Sequence, residues 1–282
     1  MANKLYEETD IQAIAEAIRE KTGTDTKYDV SEMAAGVNEV YEAGQSVAEN
    51  SIPWDIVQDY GNRTHYTYAF YGWGSEYIRP KYKISFIRPA NSTTICMFMD
   101  CKKLKIVEKE YFDFSQYTPS AAAGTQGHYA TFRNCQSLEY VEDLGMQAGG
   151  YYQTWAGCSL LHTVEIMRCA EDTVYNDPFA QDRALVNLTI EGIIGTSFPV
   201  KQSPLSAESQ KSIIKHLKNY AGTSKEYSYT LTLKATAFTT LENSGFTEDD
   251  ISWLTENGMT YTEDLTWADV IDNLKWNLVK QS

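Results

Sequence analysis

From residue 98 onward a hydrophobic or small side chain returns at every third position, and the same ten-residue frame occurs four times. It reads aromatic, then Cys or a polar residue three later, Leu six later and an aliphatic residue nine later. Phe98, Cys101, Leu104 and Val107 form the first copy; Phe132, Cys135, Leu138 and Val141 the second; Trp155, Cys158, Leu161 and Val164 the third. Phe179, Leu185 and Leu188 complete a fourth, in which Asp182 stands where the others carry Cys. Successive copies lie 34, 23 and 24 residues apart, and PSAAAGTQGHY, rich in Ala and Gly, reads as a loop that lengthens the first interval. A unit of this size cannot bury its own apolar face. Stacking the units aligns the four positions into ladders that form one continuous core, as in solenoids. Strands are expected at 104–107, 138–141, 161–166 and 185–190. A degenerate earlier unit is expected to begin at Tyr68-Ala69-Phe70, because Tyr82-Lys83-Ile84-Ser85-Phe86 alternates like a strand.

Both flanks change period. Ile11, Ile14, Ala15 and Ile18 share one face at helical spacing, with Thr9 or Asp10 as N-cap and Gly23 beyond the end. A second helix is expected near Ser31, with Met33, Val37, Val40 and Tyr41 on one side and Gly44 as its stop. Such a pair either caps the repeats, oligomerises or docks on another protein. After residue 201, Ser206 caps a helix carrying Ile213, Ile214 and Leu217. Residues 227–233 alternate as a strand, and Thr247 opens a helix with Ile251, Trp253 and Leu254 that Gly258 ends. The stretch from Trp267 to Leu278 begins helical and turns to strand over 275–279. This segment reads as the lid that a terminal repeat needs over its apolar face and strand edge.

Charge narrows the partners. With 24 Lys+Arg against 38 Asp+Glu the formal charge is −14, which repels nucleic acid and anionic membrane surfaces. No apolar run spans a bilayer, and the acidic start MANKLYEETD is not that of a secretory signal, so membrane insertion and export by that route are not expected. Twenty Tyr, 10 Phe and 6 Trp are more aromatic residues than a core alone normally requires. They are either a contact surface or the filling of a shallow core. The candidate contact face is Tyr66, Tyr68, Tyr71 and Trp73, the loop around His128 and Tyr129, and the pair Tyr151 and Tyr152.

Chemistry is scarce. Cys96, Cys101, Cys135, Cys158 and Cys169 show no Cys-x-x-Cys pair and no His at zinc spacing, which argues against a disulfide framework or a zinc site. Cys101, Cys135 and Cys158, sharing one ladder position, read as small buried hydrophobes, not as metal, redox or nucleophilic groups. No metalloprotease, nucleophile-elbow, P-loop or dinucleotide word is present. Ser212-Ile-Ile-Lys215 matches Ser-x-x-Lys but falls inside the expected helix without a companion motif. Glu171, Asp172 and Asp177 lack a calcium-loop pattern, and the Asn-x-Ser/Thr words at Asn62, Asn91 and Asn187 matter only in a secreted eukaryotic chain. No cofactor and no catalytic residue is expected.

The frame aromatic-x-x-Cys-x-x-Leu followed by a short strand resembles the BspA-like leucine-rich repeat over about residues 95–200, and implies a parallel stacked sheet. Ile14-Ala15-Glu16-Ala17-Ile18-Arg19-Glu20-Lys21-Thr22-Gly23 and Ser31-Glu32-Met33 resemble the N-terminal segment of tail-associated structural proteins from phages and prophages of Gram-positive bacteria. The expected fold is therefore α+β. It comprises an N-terminal helical pair (1–45), a short BspA-like β-solenoid (52–204) and a C-terminal α/β cap (205–282). The resemblance implies a non-enzymatic virion protein of tail-tip or tail-fibre type, made in the host cytoplasm and homo-oligomeric. It would meet other tail proteins through the helices and a host-surface glycan or protein through the repeats. A BspA-like surface adhesin and a tail-associated glycan hydrolase, which needs two facing carboxylates, are the alternatives.

Overall fold

The computed structural model describes residues 70–79, 83–85, 88–92, 96–115, 117–119 and 127–282. The two expected helices of 1–45, and Tyr66 and Tyr68, lie outside the described residues. The chain is mixed α/β. In order the elements are β1 (Ile84–Ser85), β2 (Arg88–Ser92), β3 (Ile106–Val107), β4 (Phe112–Asp113), β5 (Tyr117–Pro119), β6 (Tyr140–Val141), β7 (Tyr151–Tyr152), β8 (Thr163–Cys169), β9 (Tyr175–Asn176), β10 (Asn187–Gly192) and β11 (Phe198–Val200). Then come α1 (Ala207–Lys215), β12 (Thr230–Lys234), α2 (Ala235–Ser244), α3 (Glu248–Glu256), α4 (Trp267–Asn273) and β13 (Asn277–Gln281). No helix among the described residues is long and apolar enough to cross a membrane.

Every strand pair among the described residues is parallel, and in the four-stranded sheet this follows because each repeat runs in the same direction as the one before it. The order β3-β6-β8-β10 forms a four-stranded sheet, in which Val107, Val141, Val164 and Leu188 lie side by side. These four are the last positions of the sequence frame, and all are buried. The aromatic positions form a second column. Phe70 stacks on Phe98 at 5.0 Å, Phe98 on Phe132 at 5.1 Å, Phe132 on Trp155 at 6.3 Å and Trp155 on Phe179 at 5.0 Å, with ring planes within 11°. Phe70 thus extends the ladder one place upstream of the four clear copies. Cys101, Cys135, Cys158 and Asp182 are fully buried, as are the Leu rungs Leu104, Leu138, Leu161 and Leu185. Adjacent ring pairs add about 0.5–1.5 kcal/mol each beyond the area they bury.

The turns that carry the aromatics are themselves laddered. Phe98 N donates to Thr131 O at 2.7 Å, Phe132 N to Thr154 O at 2.8 Å and Trp155 N to Pro178 O at 2.8 Å, so the amide of each of these aromatics is paired with the next turn. The backbone reaches left-handed φ two residues before each aromatic, at Cys96, Ala130, Gln153 and Asp177. It does so again two residues after, at Gly72, Asp100, Asn134, Gly157 and Gln181. Gly, Asn and Asp dominate the second set because their side chains tolerate that region best. Gly157 is needed twice over, since a Cβ there would sit 2.7 Å from Asn134 Oδ1.

The last repeat strand does not end at an open edge. Helix α1 lies along β10, where Ser209 Oγ accepts from Leu188 N at 2.8 Å and Ser212 Oγ accepts from Ile190 N at 3.0 Å. Two hydroxyls one turn apart on a helix therefore do the pairing that another strand would do. Ser206 caps α1 as expected, and Thr247 and Thr266 form capping boxes with Asp250 and Asp269. The strand expected over 227–233 starts only at Thr230, because Tyr227 takes a positive φ and bonds to Lys275 O. Strand β11 and helix α2 were not anticipated. In α2, Lys234 at the N-cap makes no side-chain bond, and three Thr dilute the apolar face, so neither the usual start signal nor a strong period marks it. Strands β11, β12 and β13 form a separate parallel sheet.

Candidate functional site

The candidate aromatic face divides. Tyr71 is 50% exposed, Trp73 is half-buried against the core, and Tyr129 and Tyr152 stack at 4.7 Å with both rings partly open to solvent. His128 and Tyr151 are fully buried and do not belong to a contact surface. They lie four residues before the ladder aromatics, and Tyr175 occupies the same place in the next unit. The three form an inward column, His128 on Tyr151 at 4.9 Å and Tyr151 on Tyr175 at 6.1 Å. Tyr151 Oη donates to Arg168 O at 2.9 Å, and a His128 ring nitrogen lies 2.8 Å from Gln147 O. Burial, which that carbonyl opposes, lowers the imidazole to about 4, so His128 is neutral at pH 7.

The thiols have one repeated task. Cys101 Sγ donates to Phe70 O at 2.9 Å, Cys135 Sγ to Phe98 O at 3.0 Å and Cys158 Sγ to Phe132 O at 3.0 Å. Each rung thus bonds the carbonyl of the previous aromatic. All five Cys are free and buried, and burial pushes Cys169 up to about 12, which suppresses the reactive thiolate. Asp182, in the thiol's place, is buried too. Its Oδ1 accepts from the amides of Ala184 and Leu185, both at 3.2 Å, while Oδ2 has no hydrogen-bond partner. Burial drives this carboxyl up to about 7, and the two amides offset only part of that.

A ladder that the frame did not reveal runs just after the Val positions. Val107, Val141 and Val164 are each followed by Glu. Glu108 holds Arg79 through two bonds of 2.8 and 3.0 Å, Glu142 accepts from Lys109 N at 2.7 Å, and Glu165 accepts from Asp143 N at 2.8 Å and from Tyr140 Oη. The repeated Val-Glu word was the signal for it. These carboxylates tie each unit to its neighbour.

Beside that row lies a cleft of about 300 Å³, at the small end of ligand pockets. Phe112, Leu144 and Gly145 form its apolar part; Lys83, Lys109, Arg168, Asp113, Asp143, Ser115 and Gln147 supply the polar groups. The lining residues come from four successive stretches of the chain, brought together by the pairing of β1 with β4 and by the Phe114 N to Leu144 O bond of 2.8 Å. Arg168 is fixed. Two bonds of 2.7 and 3.0 Å join it to Asp143, and its Nε lies 2.9 Å from Glu191. Asp143 Oδ1 also accepts from Gly145 N at 2.9 Å, and Arg168 followed by burial and that amide sets the balance that holds the carboxyl below the usual range. Asp113 is likewise lowered, chiefly by the Ser115 amide at 2.9 Å. Gly145 has a φ of +71°, and an added Cβ would meet Ser115 N at 2.9 Å, so this wall admits no side chain there.

Other polar words of the sequence have structural roles. Ser212 of the Ser-x-x-Lys word bonds the edge of β10, Glu171 pairs with Lys218, and Asp177 lies 3.0 Å from Lys201. Among the described residues no three His, Cys, Asp or Glu are grouped so as to hold a metal ion. No family model matches the chain, and neither the curated proteins nor the solved structures yield a match to it.

Proposed function

We propose that the chain is a virion structural protein of a phage, of tail-tip or tail-fibre type, and not an enzyme. In this reading residues 1–45 attach it to other tail proteins or to further copies of itself. Residues 52–204 form a short BspA-like leucine-rich-repeat solenoid that presents a surface to a protein or a host-surface glycan, and residues 205–282 close it. The observation that carries the reading is the division of labour in the repeats. The ladder thiols and the Val-Glu carboxylates join one unit to the next, while Tyr71, 50% exposed, and the partly exposed Tyr129–Tyr152 stack lie at the surface. A core that depends on stacking lets the surface between rungs vary, which suits recognition.

The test is particle association. Antibody raised against the full chain should detect it in phage particles purified through a density gradient, at several copies per particle. Its absence from particles, together with a monomeric mass by light scattering, would overturn the reading.

A further inference from the structure

We infer that the cleft between Lys83, Lys109 and Arg168 is a binding site for a sugar that carries an anionic group, a carboxylate or a phosphate. Arg168 is held by Asp143 and Glu191, and Asp143 uses both its oxygens, so this pair is a rigid wall that presents few new bonds. Lys83 and Lys109 make no ion pair within 4 Å among the described residues, although Lys83 acts electrostatically on Asp113, and Lys109 on Asp143 and Glu165. Both lysines line the cleft, in a chain of net charge −14. Two exposed cations at one mouth favour an anion. They attract it more weakly than buried ones would, since solvent screens them.

Charge alone does not describe the site. Asp113 accepts from the Ser115 amide and also from the Ser115 side chain, and Gln147 Nε2 donates to Gly145 O at 2.8 Å, so the remaining lone pairs of the Asp113 carboxylate and Gln147 Oε1 are the acceptors on the wall. A bare anion offers these no donor and is repelled by the carboxylate. Hydroxyls meet both demands, donating to Asp113 and Gln147 while the anionic group lies on the lysines. Phe112 and Leu144, both buried, and the backbone at Gly145 form the apolar floor beneath these groups. At about 300 Å³ the cleft has room for one small ligand unit.

This inference deepens the glycan reading above and depends on it only for where such a sugar would come from. Its test uses the isolated full chain and no phage, so either can fail alone. Glucuronate, glucose 6-phosphate, glucose and inorganic phosphate are titrated by calorimetry and by saturation-transfer NMR. Binding of glucuronate or glucose 6-phosphate at least tenfold tighter than both glucose and inorganic phosphate is expected, and which of the two binds separates a carboxylate source from a phosphate source. The Lys83→Gln, Lys109→Gln double variant should weaken it at least tenfold with an unchanged circular dichroism spectrum, because both side chains are exposed. Raising the salt from 0.05 to 0.5 M should weaken it as well. Equal binding of glucose, equal binding of inorganic phosphate, no binding of either charged sugar, or a double variant that binds like the parent would each overturn the inference.

Discussion

Asp182 and Asp250 are both buried carboxylates, and the two regions that hold them treat a buried charge in opposite ways. In the repeats Asp182 replaces a thiol in a column of weak donors, with no ion pair among the described residues and no hydrogen bond to its Oδ2. In the C-terminal region Asp250 sits between Lys211 at 2.8 Å and Lys215 at 2.6 Å and also closes the capping box of α3. Burial pushes Asp250 up, but the two lysines and Thr247 outweigh it and hold it at about 2. A region built by repetition offers every rung the same neighbours, so an altered residue must adapt by its protonation state. Helices packed on a sheet have no such constraint and can bring specific partners to a charge.

The comparison is broken most severely by removing a rung. Phe132→Ala takes a ring from between Phe98 and Trp155, and should cost about 4 kcal/mol in urea unfolding. Hydrogen exchange should quicken in the turns on both sides of residue 132, whereas a loss confined to one unit would show that the column is not a continuous core. In the C-terminal region Asp250→Ala leaves Lys211 buried without its main partner and should cost about 3 kcal/mol, with faster exchange limited to α1 and α3. Adding Lys211→Met should recover part of that loss.

The pH dependence sharpens the contrast, since the two acids act with opposite sign. Asp182 has a raised folded pKa, so its contribution is fully present below the ordinary carboxylate range near 4 and is lost as pH rises through about 7. Asp250 has a lowered one, so its contribution is present above about 4 and is lost as pH falls toward 2. His128, held at about 4, likewise loses its contribution in acid. Asp182→Asn should therefore flatten the decline in stability between pH 4 and 8. At about 1.4 kcal/mol per pKa unit, halved for relaxation around the buried group, the change is about 2 kcal/mol. An unaltered slope would show that Asp182 is not the group responsible. The smallest expected effect concerns the thiol bonds. Cys158→Ala should cost about 1 kcal/mol and Cys158→Ser less, because the hydroxyl can still donate to Phe132 O. In the native protein none of the five Cys should react with a thiol reagent until it unfolds.

What could be read beforehand follows from where the information sits. The ladder residues and the caps at Ser206 and Thr247 recur at fixed spacing or carry local chemistry, and a single sequence displays both. His128 and Tyr151 read as a contact surface from local sequence because polar and aromatic neighbours surround them. Extending the frame four residues upstream to include Tyr175 would have placed them inside. The cleft was out of reach for a different reason. Lys83, Lys109, Asp143 and Arg168 share no motif and meet only through the register of successive units, which no local pattern encodes. Helix α2 was missed because it lacks both a cap and a clean apolar stripe.

Phe98 and Phe132 stack at 5.1 Å although the chain between them is longer than between Phe132 and Trp155, whose rings lie 6.3 Å apart. Heredity can exploit that indifference. Insertions and deletions between rungs are invisible to the core as long as the next aromatic arrives in frame, so lineages can rewrite the displayed loops by indels as freely as by substitution. Diversification in such a gene would be recorded as changes in length between rungs, while the rungs themselves keep their spacing.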